Sequence, residues 1–390
     1  MLLLGLIFGI AAFATDMYLP AFPAISRAFG ASPQEVQYSL SVFLYGNAAG
    51  HLFFGPLSDR YGRKPILLIG IAAFAVASFG CALAVDITEF YGYRLVQGGA
   101  AASGPVLIRA LLNDCLDRSH AARMLALLTG VMASAAMLTP ALGGWIVEHK
   151  SWRWIFYSIG ALAVTLCLTA IKYTGETLPP ERRLGMLGIA EIGRGYFLIG
   201  RTLRFWYYTA PPALMFSAVF AYAGVNSFLL IDDLGMAVQH QGFSYSMAAA
   251  AYVVGSLTSN RLVRWVGIDR TITIGLTAGI ICSTAAVIAS NVLPLSVTLV
   301  LIPGLCAFFS TSLIVPVGFS MAVSLFPTRG GSASAVVGFV QLSLSGISTA
   351  IAAYLYNHTT MPLHLFTLGC AIAATLVWVA GRSLRYATPA

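Results

Sequence analysis

The chain is built from apolar runs of roughly 20 residues or more, separated by short polar punctuation. A helix of that length crosses the ~30 Å hydrocarbon core of a bilayer at about 1.5 Å per residue. Strands of a membrane barrel would read as alternating segments of about ten residues, and these runs do not alternate. Backbone polar groups find no water inside a bilayer, so each run has to satisfy its own N–H and C=O groups as a helix. Composition agrees. Only 9% of the residues are charged and mean hydropathy is +0.82, against about 25% charged residues in a soluble domain. The fold class is therefore an all-α integral membrane protein.

Reading the runs against their punctuation gives twelve helices, at 2–28, 34–57, 65–85, 87–112, 120–148, 152–173, 206–231, 243–265, 271–290, 294–325, 331–356 and 361–384. The first run lacks a basic leader and is read as a helix rather than a signal peptide. One long polar connection divides the chain into a six-helix half at 1–178, a linker at 179–205 and a second six-helix half at 206–390. The net charge of +8 does not point to nucleic acid, because the basic residues lie in short loops between the runs. Alternate loops hold Arg60, Arg63, Lys64, Arg118, Arg123, Arg182, Arg183, Arg194, Arg201, Arg204, Arg261, Arg264, Arg270, Arg329, Arg382 and Arg385, and the other set holds only Arg27, Lys150 and Arg153. This asymmetry assigns both termini and the linker to the cytoplasm. The six cysteines lack metal-ligand spacing and read as small buried apolar residues.

Asp16 breaks the first run, in "FATDMYLPAF". A charge at the centre of a spanning helix costs roughly 2.5–3.5 kcal/mol on insertion scales, so such an acid is a functional candidate. Counting from the outer ends of their helices, Asp16 lies about 16 Å deep and Arg94 about 12 Å deep at the helical rise. They are expected to form a couple that faces a central cavity. Burial disfavours a charged carboxyl and a neighbouring guanidinium favours it, so opening and closing the couple binds and releases a proton. A purely structural ion pair is the alternative.

Helical spacing extends the face of Arg94 through Gln97. Phe43 and Asn47 on the second helix, Tyr222 and Asn226 on the seventh, Tyr252 on the eighth and Gln341 on the eleventh are candidate cavity residues for a moderately hydrophobic ligand. Each competes with ordinary helix packing. His51 is read as a packing residue, and Asp232 and Asp233 as solvated acids of an outer loop. "GPLSDR" at 55–60 echoes "GSLTSNR" at 255–261, a sign of parallel six-helix repeats.

The most ordered signal is "GPLSDRYGRKPIL" at 55–67, a glycine-punctuated turn with one acid and three bases. Its bases can meet lipid headgroups or acids such as Asp114. This run resembles the signature loop of the major facilitator superfamily, and "RLVQGGAAASGPV" at 94–106 is similar to that family's helix-4 motif. "LTPALGG" at 138–144 resembles the antiporter motif of drug exporters, with Thr139 where a glycine is usual. Together with "TDMYLPAFPAI" on the first helix, these runs look like the bicyclomycin- and chloramphenicol-resistance (Bcr/CflA) group of drug/proton antiporters. The resemblance covers the first 178 residues; the second half matches in layout. It implies a major facilitator fold and a coupling role for Asp16 and Arg94. It also implies a gating loop of Gly55, Asp59, Arg60, Gly62 and Arg63. Arg109, near the cytoplasmic surface on the fourth helix, is read as serving the Asp59/Asp114 charges rather than substrate, and Pro140, Gly143 and Gly144 as a bending element rather than tolerated small residues.

The expected activity is proton-coupled export of small amphipathic molecules such as antibiotics. Two alternatives remain open: proton-linked transport of a metabolite or metal–chelator complex, and a non-transporting sensor. No phosphate-binding loop, metal cluster or nucleophile elbow is present in the sequence, so neither an enzyme nor a cofactor or metal is expected. The expected partners are the substrate, protons and membrane lipids, with the chain acting as a monomer.

Overall fold

The computed structural model describes residues 2–183 and 186–382, so Arg385 and the end of the twelfth expected helix lie outside it. The first expected helix is in pieces: α1 (Leu2–Phe8), α2 (Ile10–Asp16), a 3-10 turn (Leu19–Ala21) and α3 (Phe22–Phe29). Both breaks have causes in the sequence. The segment bends by 50° where Gly9 separates α1 from α2. Pro20 has no N–H, so the carbonyl of Asp16 loses the donor that would continue the helix.

The next spans are α4 (Pro33–Tyr61), α5 (Arg63–Leu83), α6 (Ile87–Ala101) with α7 (Ser103–Cys115), α8 (Arg118–His149) and α9 (Arg153–Tyr173). Then come α10 (Met186–Arg201), α11 (Leu203–Phe228) with a π turn at Leu229–Asp233, α12 (Val238–Val266), α13 (Ile268–Val292), α14 (Val297–Ser324), α15 (Gly330–Leu355) and α16 (Met361–Ala380). Taking α1–α3 as one span and α6–α7 as another, and setting α10 aside, these are the twelve spans expected. Among the described residues, nine helices are long and apolar enough to cross a membrane, and the bent first span makes a tenth. The α4 and α12 helices fall short because polar residues lower their hydropathy, among them Gln37, Ser41 and Asn47, and Gln241, Ser244 and Ser259, all of them buried.

The linker differs from a plain polar connection, because 16 of its residues form α10. Met186, Ile189, Ile192, Tyr196 and Ile199 recur there at three- and four-residue spacing, which is helical periodicity.

Helix ends follow their local chemistry. Ser32 and Glu35 close a reciprocal capping box at the start of α4, and Asp86 caps α6 by accepting from the Glu89 N–H at 2.8 Å. The corners α4–α5 and α12–α13 both turn at a glycine with positive φ, Gly62 (103°) and Gly267 (84°), where a side chain is strained. This pair corrects the register of the internal repeat. Gly50 lies twelve residues before Gly62 (62 − 50), and Gly255 lies twelve before Gly267 (267 − 255). Gly255 therefore corresponds to Gly50, not to Gly55. Their packing agrees: Gly50 abuts the Gly99 carbonyl of α6, and Gly255 abuts Ser312 and Phe309 of α14.

The chain forms two compact units, Met1–Gly195 with Val238–Ser246, and Tyr196–Ala237 with Met247–Ala390. In the first, α4 packs along α6 and α5 along α9; in the second, α11 packs against α14, α15 and α16. The α4–α6 contact is backbone on backbone. A methyl group at Gly98 would collide with the Phe43 carbonyl, and one at Gly46 with the Leu95 carbonyl. Without a hydrophobic drive between helices in lipid, such close approach is what holds them together. We expect Gly98→Ala to cost about 1–3 kcal/mol in the detergent-solubilised protein, read as a lower thermal midpoint. Gly92→Ala, where the added methyl meets open space, should leave the midpoint unchanged or raise it.

Candidate functional site

Asp16 is the last residue of α2, half-buried at the break in the first span. Its carboxylate oxygen Oδ1 lies 2.9 Å from the hydroxyl of Thr15, which is also 3.1 and 3.3 Å from the carbonyl oxygens of Ala11 and Ala12. One hydroxyl proton thus serves three acceptors in turn.

Arg94 does not pair with Asp16, which corrects the expected couple. Depth reasoning brought the two to the same level, since Nη1 of Arg94 donates to the Ala14 carbonyl at 3.1 Å, two residues before Asp16. The side chains diverge from there. Nη1 also donates to Gln97 Oε1 at 2.6 Å, and the guanidinium carbon lies 4.2, 4.3 and 5.9 Å from the ring centres of Tyr18, Phe43 and Phe156. Arg94 is fully buried, and its Nε and Nη2 have no hydrogen-bond acceptor among the described residues. A buried charge without a partner is costly. Three ring faces, each worth about 2 kcal/mol or more when desolvated, offset part of that cost.

The candidates around Arg94 serve this cage. Phe43 is one of its walls. Gln97 is fully buried rather than lining an open cavity: its Nε2 donates to Ser78 Oγ at 2.8 Å, and Ser78 donates to the Phe74 carbonyl at 2.7 Å. Tyr18, a wall on the other side, is fixed through a 2.8 Å contact with Ser39. Asn47 is nearly buried, with its Oδ1 unpartnered. Sequence reasoning missed Thr15, Tyr18 and Phe156; the aromatic at 18, two positions from the acid, was the available signal.

The LTPALGG run meets the same break. Gly143 lies against the Met17 carbonyl, one residue beyond Asp16, so close that a methyl group there would overlap it. Gly144 faces Val238 and Gln239, and the Pro140 carbonyl faces Gly242, all within the first unit.

In the second unit, Tyr222 is committed to α14: its hydroxyl donates to the Val300 carbonyl at 3.1 Å and its ring fills the space over Gly304. Asn226 is fully buried, with neither end of its amide partnered. Tyr252 is half-buried, edge-on to Phe216 at 6.4 Å, and Gln341 is half-buried on α15. Asp233 is not a plain solvated acid. It accepts from the Tyr356 hydroxyl at 2.6 Å and contacts His358 Nδ1 at 2.8 Å, with its side chain 13% exposed.

The 55–67 loop forms a charged corner. Arg63 reaches Asp59 at 2.5 Å, Asp114 at 3.0 Å and Ser58 at 2.7 Å. Arg60 stacks over Tyr61, Gly55 faces open space, and Arg109 is half-buried on α7, the helix that carries Asp114. Glu176, which sequence reasoning passed over, completes the corner from the segment just after α9. It accepts from the backbone N–H groups of Arg63 (3.0 Å) and Lys64 (3.3 Å) at the start of α5, and from those of Thr177 (3.0 Å) and Leu178 (2.9 Å). Gly62 leaves room for this carboxylate, which would collide with any side chain there. Partial burial raises the proton affinity of Glu176, but the four N–H groups outweigh it and hold the carboxyl below its ordinary value.

Packed membrane-length helices with an acid and a guanidinium inside the first unit have the make-up of a membrane transporter. Residues 4–353 match the Major Facilitator Superfamily, and the chain belongs to that family. A bicyclomycin resistance protein homolog of Haemophilus influenzae is 28% identical over 97% of this chain and 94% of its own. The multidrug resistance protein MdtL of Klebsiella pneumoniae is 30% identical over 93% and 90%. Among solved structures, a D-xylose-proton symporter superposes with a TM-score of 0.74 at 16% identity, covering 97% of this chain and 95% of the other. A bacterial homolog of the lysosomal transporter Spinster gives 0.75 at 14%, covering 100% and 98%. At such identities these two establish the fold alone.

Glu176 generates a pH-dependent expectation. A carboxyl held below its ordinary value of 4.5 contributes stability that is fully present above that pH and is lost as pH falls through the lowered value. Glu176→Gln should therefore unfold at a lower temperature than wild type at pH 7, with the gap closing below pH 4.5. Thermal midpoints across pH 3.5–8 in detergent check this; a constant gap would show that the charge is not what matters.

Proposed function

We propose that this transporter exports small amphipathic molecules, antibiotics among them, across a bacterial inner membrane in exchange for protons, with both termini in the cytoplasm. It uses the proton gradient and no bound cofactor, and it acts as a monomer within two six-helix halves joined by the 179–205 linker. The observation that carries this reading is Asp16: an acid at the break of a spanning helix, with no ion-pair partner among the described residues and one hydroxyl beside it. The names of the resistance-protein relatives support the substrate class.

Asp16 and Arg94 share the work differently from a simple couple. Arg94 is anchored by Gln97 and three rings and holds helix 1 by the Ala14 carbonyl. Asp16 stays available for a proton. When protonated it donates to Thr15 Oγ1, and the Thr15 hydroxyl turns to the Ala11 carbonyl. When ionised it accepts from Thr15. Exchange follows if proton binding and substrate binding oppose each other, since coupling between two sites is reciprocal. Gly143, packed on Met17, passes the bending of α8 to the residue after the acid. The unpartnered amides of Asn47 and Asn226 are groups that polar atoms of a ligand would satisfy.

The test is transport in inverted membrane vesicles energised with a pH gradient. Wild type should accumulate compounds from a panel of antibiotics and cationic dyes. Asp16→Asn should retain less than about a tenth of that rate while still binding ligand, since it removes the proton site and leaves shape intact. Arg94→Lys should also lose most transport, because an ammonium cannot stack on three rings and hold two acceptors as a planar guanidinium does. Gradient-driven transport by Asp16→Asn at the wild-type rate would overturn the reading.

A further inference from the structure

The second unit contains a cavity of 590 Å³ at the α12–α13 corner, lined by Val266, Asp269, Arg270, Thr273, Ile274, Trp378 and Arg382. Arg270 and Arg382 are exposed, and neither has an ion-pair or hydrogen-bond partner among the described residues. Asp269 is the single acid of the lining. The floor is fixed: Trp378 Nε1 donates to Thr273 Oγ1 at 3.0 Å, and the indole stacks on Tyr207 at 4.4 Å.

The corrected repeat register explains why this place is open and basic. The first-unit counterpart of this corner, at Gly62, is filled by the Glu176 carboxylate, three residues after α9 ends. At the second corner the chain beyond α16 brings Arg382 instead, and positions 381–390 contain no acidic residue. A carboxylate site has become a site where two guanidiniums face the one carboxylate of Asp269, and the excess positive charge leaves room for an anion from outside the chain.

The surroundings identify the source of that anion. Ile274, Ile281 and Ile288 follow one another at seven-residue spacing on α13 and are 41%, 62% and 60% exposed. They make an apolar track about 20 Å long that starts at the cavity. Trp265, beside the lining, is 80% exposed, as suits a residue at the headgroup level. We propose that this cavity binds the phosphodiester headgroup of an anionic phospholipid through Arg270 and Arg382, with an acyl chain lying along the α13 isoleucines. Basic pockets between spanning helices on the cytoplasmic side favour such lipids.

The test titrates purified full-length protein in dodecyl maltoside with dioleoyl phosphatidylglycerol in phosphatidylcholine mixed micelles, reading the thermal midpoint. Phosphatidylglycerol should raise the midpoint saturably; phosphatidylcholine alone and inorganic phosphate should not. Arg270→Gln with Arg382→Gln should weaken the half-saturation point by roughly 30-fold, and Arg261→Gln with Arg264→Gln, which removes the same charge outside the lining, should leave it near wild type. Asp269→Asn should tighten it by about 5-fold, an opposite sign that holds even if the arginine variant fails to fold. An unchanged titration in the arginine variant, or a weaker one in Asp269→Asn, would overturn the site. A midpoint shift from inorganic phosphate equal to that from the lipid would overturn the lipid as its occupant.

Discussion

Arg94 carries a guanidinium into the first unit with no carboxylate at ion-pair distance among the described residues, and much of that unit is arranged around this fact. Its Nη1 ties α6 to the backbone of helix 1 at Ala14 and to its own helix at Gln97. Gln97 in turn reaches α5 through Ser78. Tyr18, Phe43 and Phe156 come from helix 1, α4 and α9 to cover the cation. Five elements therefore meet at one charge. Replacing the acid partner by rings and a carbonyl leaves Asp16 outside the network that fixes the helices. In the proposed cycle, the residue that gains and loses a proton is then not also the residue that holds the structure together.

The contacts that set helix positions are mostly backbone contacts, and glycine permits them. Gly98 meets Phe43, Gly104 meets the Ile7 carbonyl and Gly143 meets the Met17 carbonyl. Two of these three land on helix 1 at either side of its broken middle. Small side chains let carbonyl and Cα surfaces approach without water, which lipid would not otherwise encourage. They also leave few side-chain interlocks to undo when a helix tilts. The break at Asp16–Pro20 and the glycine contacts at Gly104 and Gly143 form one joint whose two neighbours are smooth.

Much of this was legible in the sequence. Apolar run length gave the twelve spans, and the 55–67, 94–106 and 138–144 motifs pointed to the family. Depth counting brought Asp16 and Arg94 to one level. It could not give the direction in which each side chain leaves its helix, and so it paired a carboxylate with a guanidinium that turns to the Ala14 carbonyl and Gln97 instead. Gln97 and Tyr222 read as cavity residues because a polar group on an apolar helix looks the same whether it faces a ligand or a neighbouring helix. Asp233 read as solvated because its partners, Tyr356 and His358, are more than 120 residues away in the chain. Glu176 was passed over because its partners are backbone N–H groups, which carry no sequence signal. The repeat was seen at the wrong offset because glycines at 55 and 255 match in letters while Gly62 and Gly267 match in conformation.

The central claim is that substrate binding displaces a proton from Asp16. The direct measurement is the pH of a weakly buffered solution of purified protein when a transported compound is added at saturating concentration. The account predicts release of about one proton per protein molecule from wild type, because one acid does the coupling. It predicts none from Asp16→Asn, although calorimetry still records binding. Equal release from the two proteins, or tight binding to wild type with no release across the physiological pH range, would contradict it.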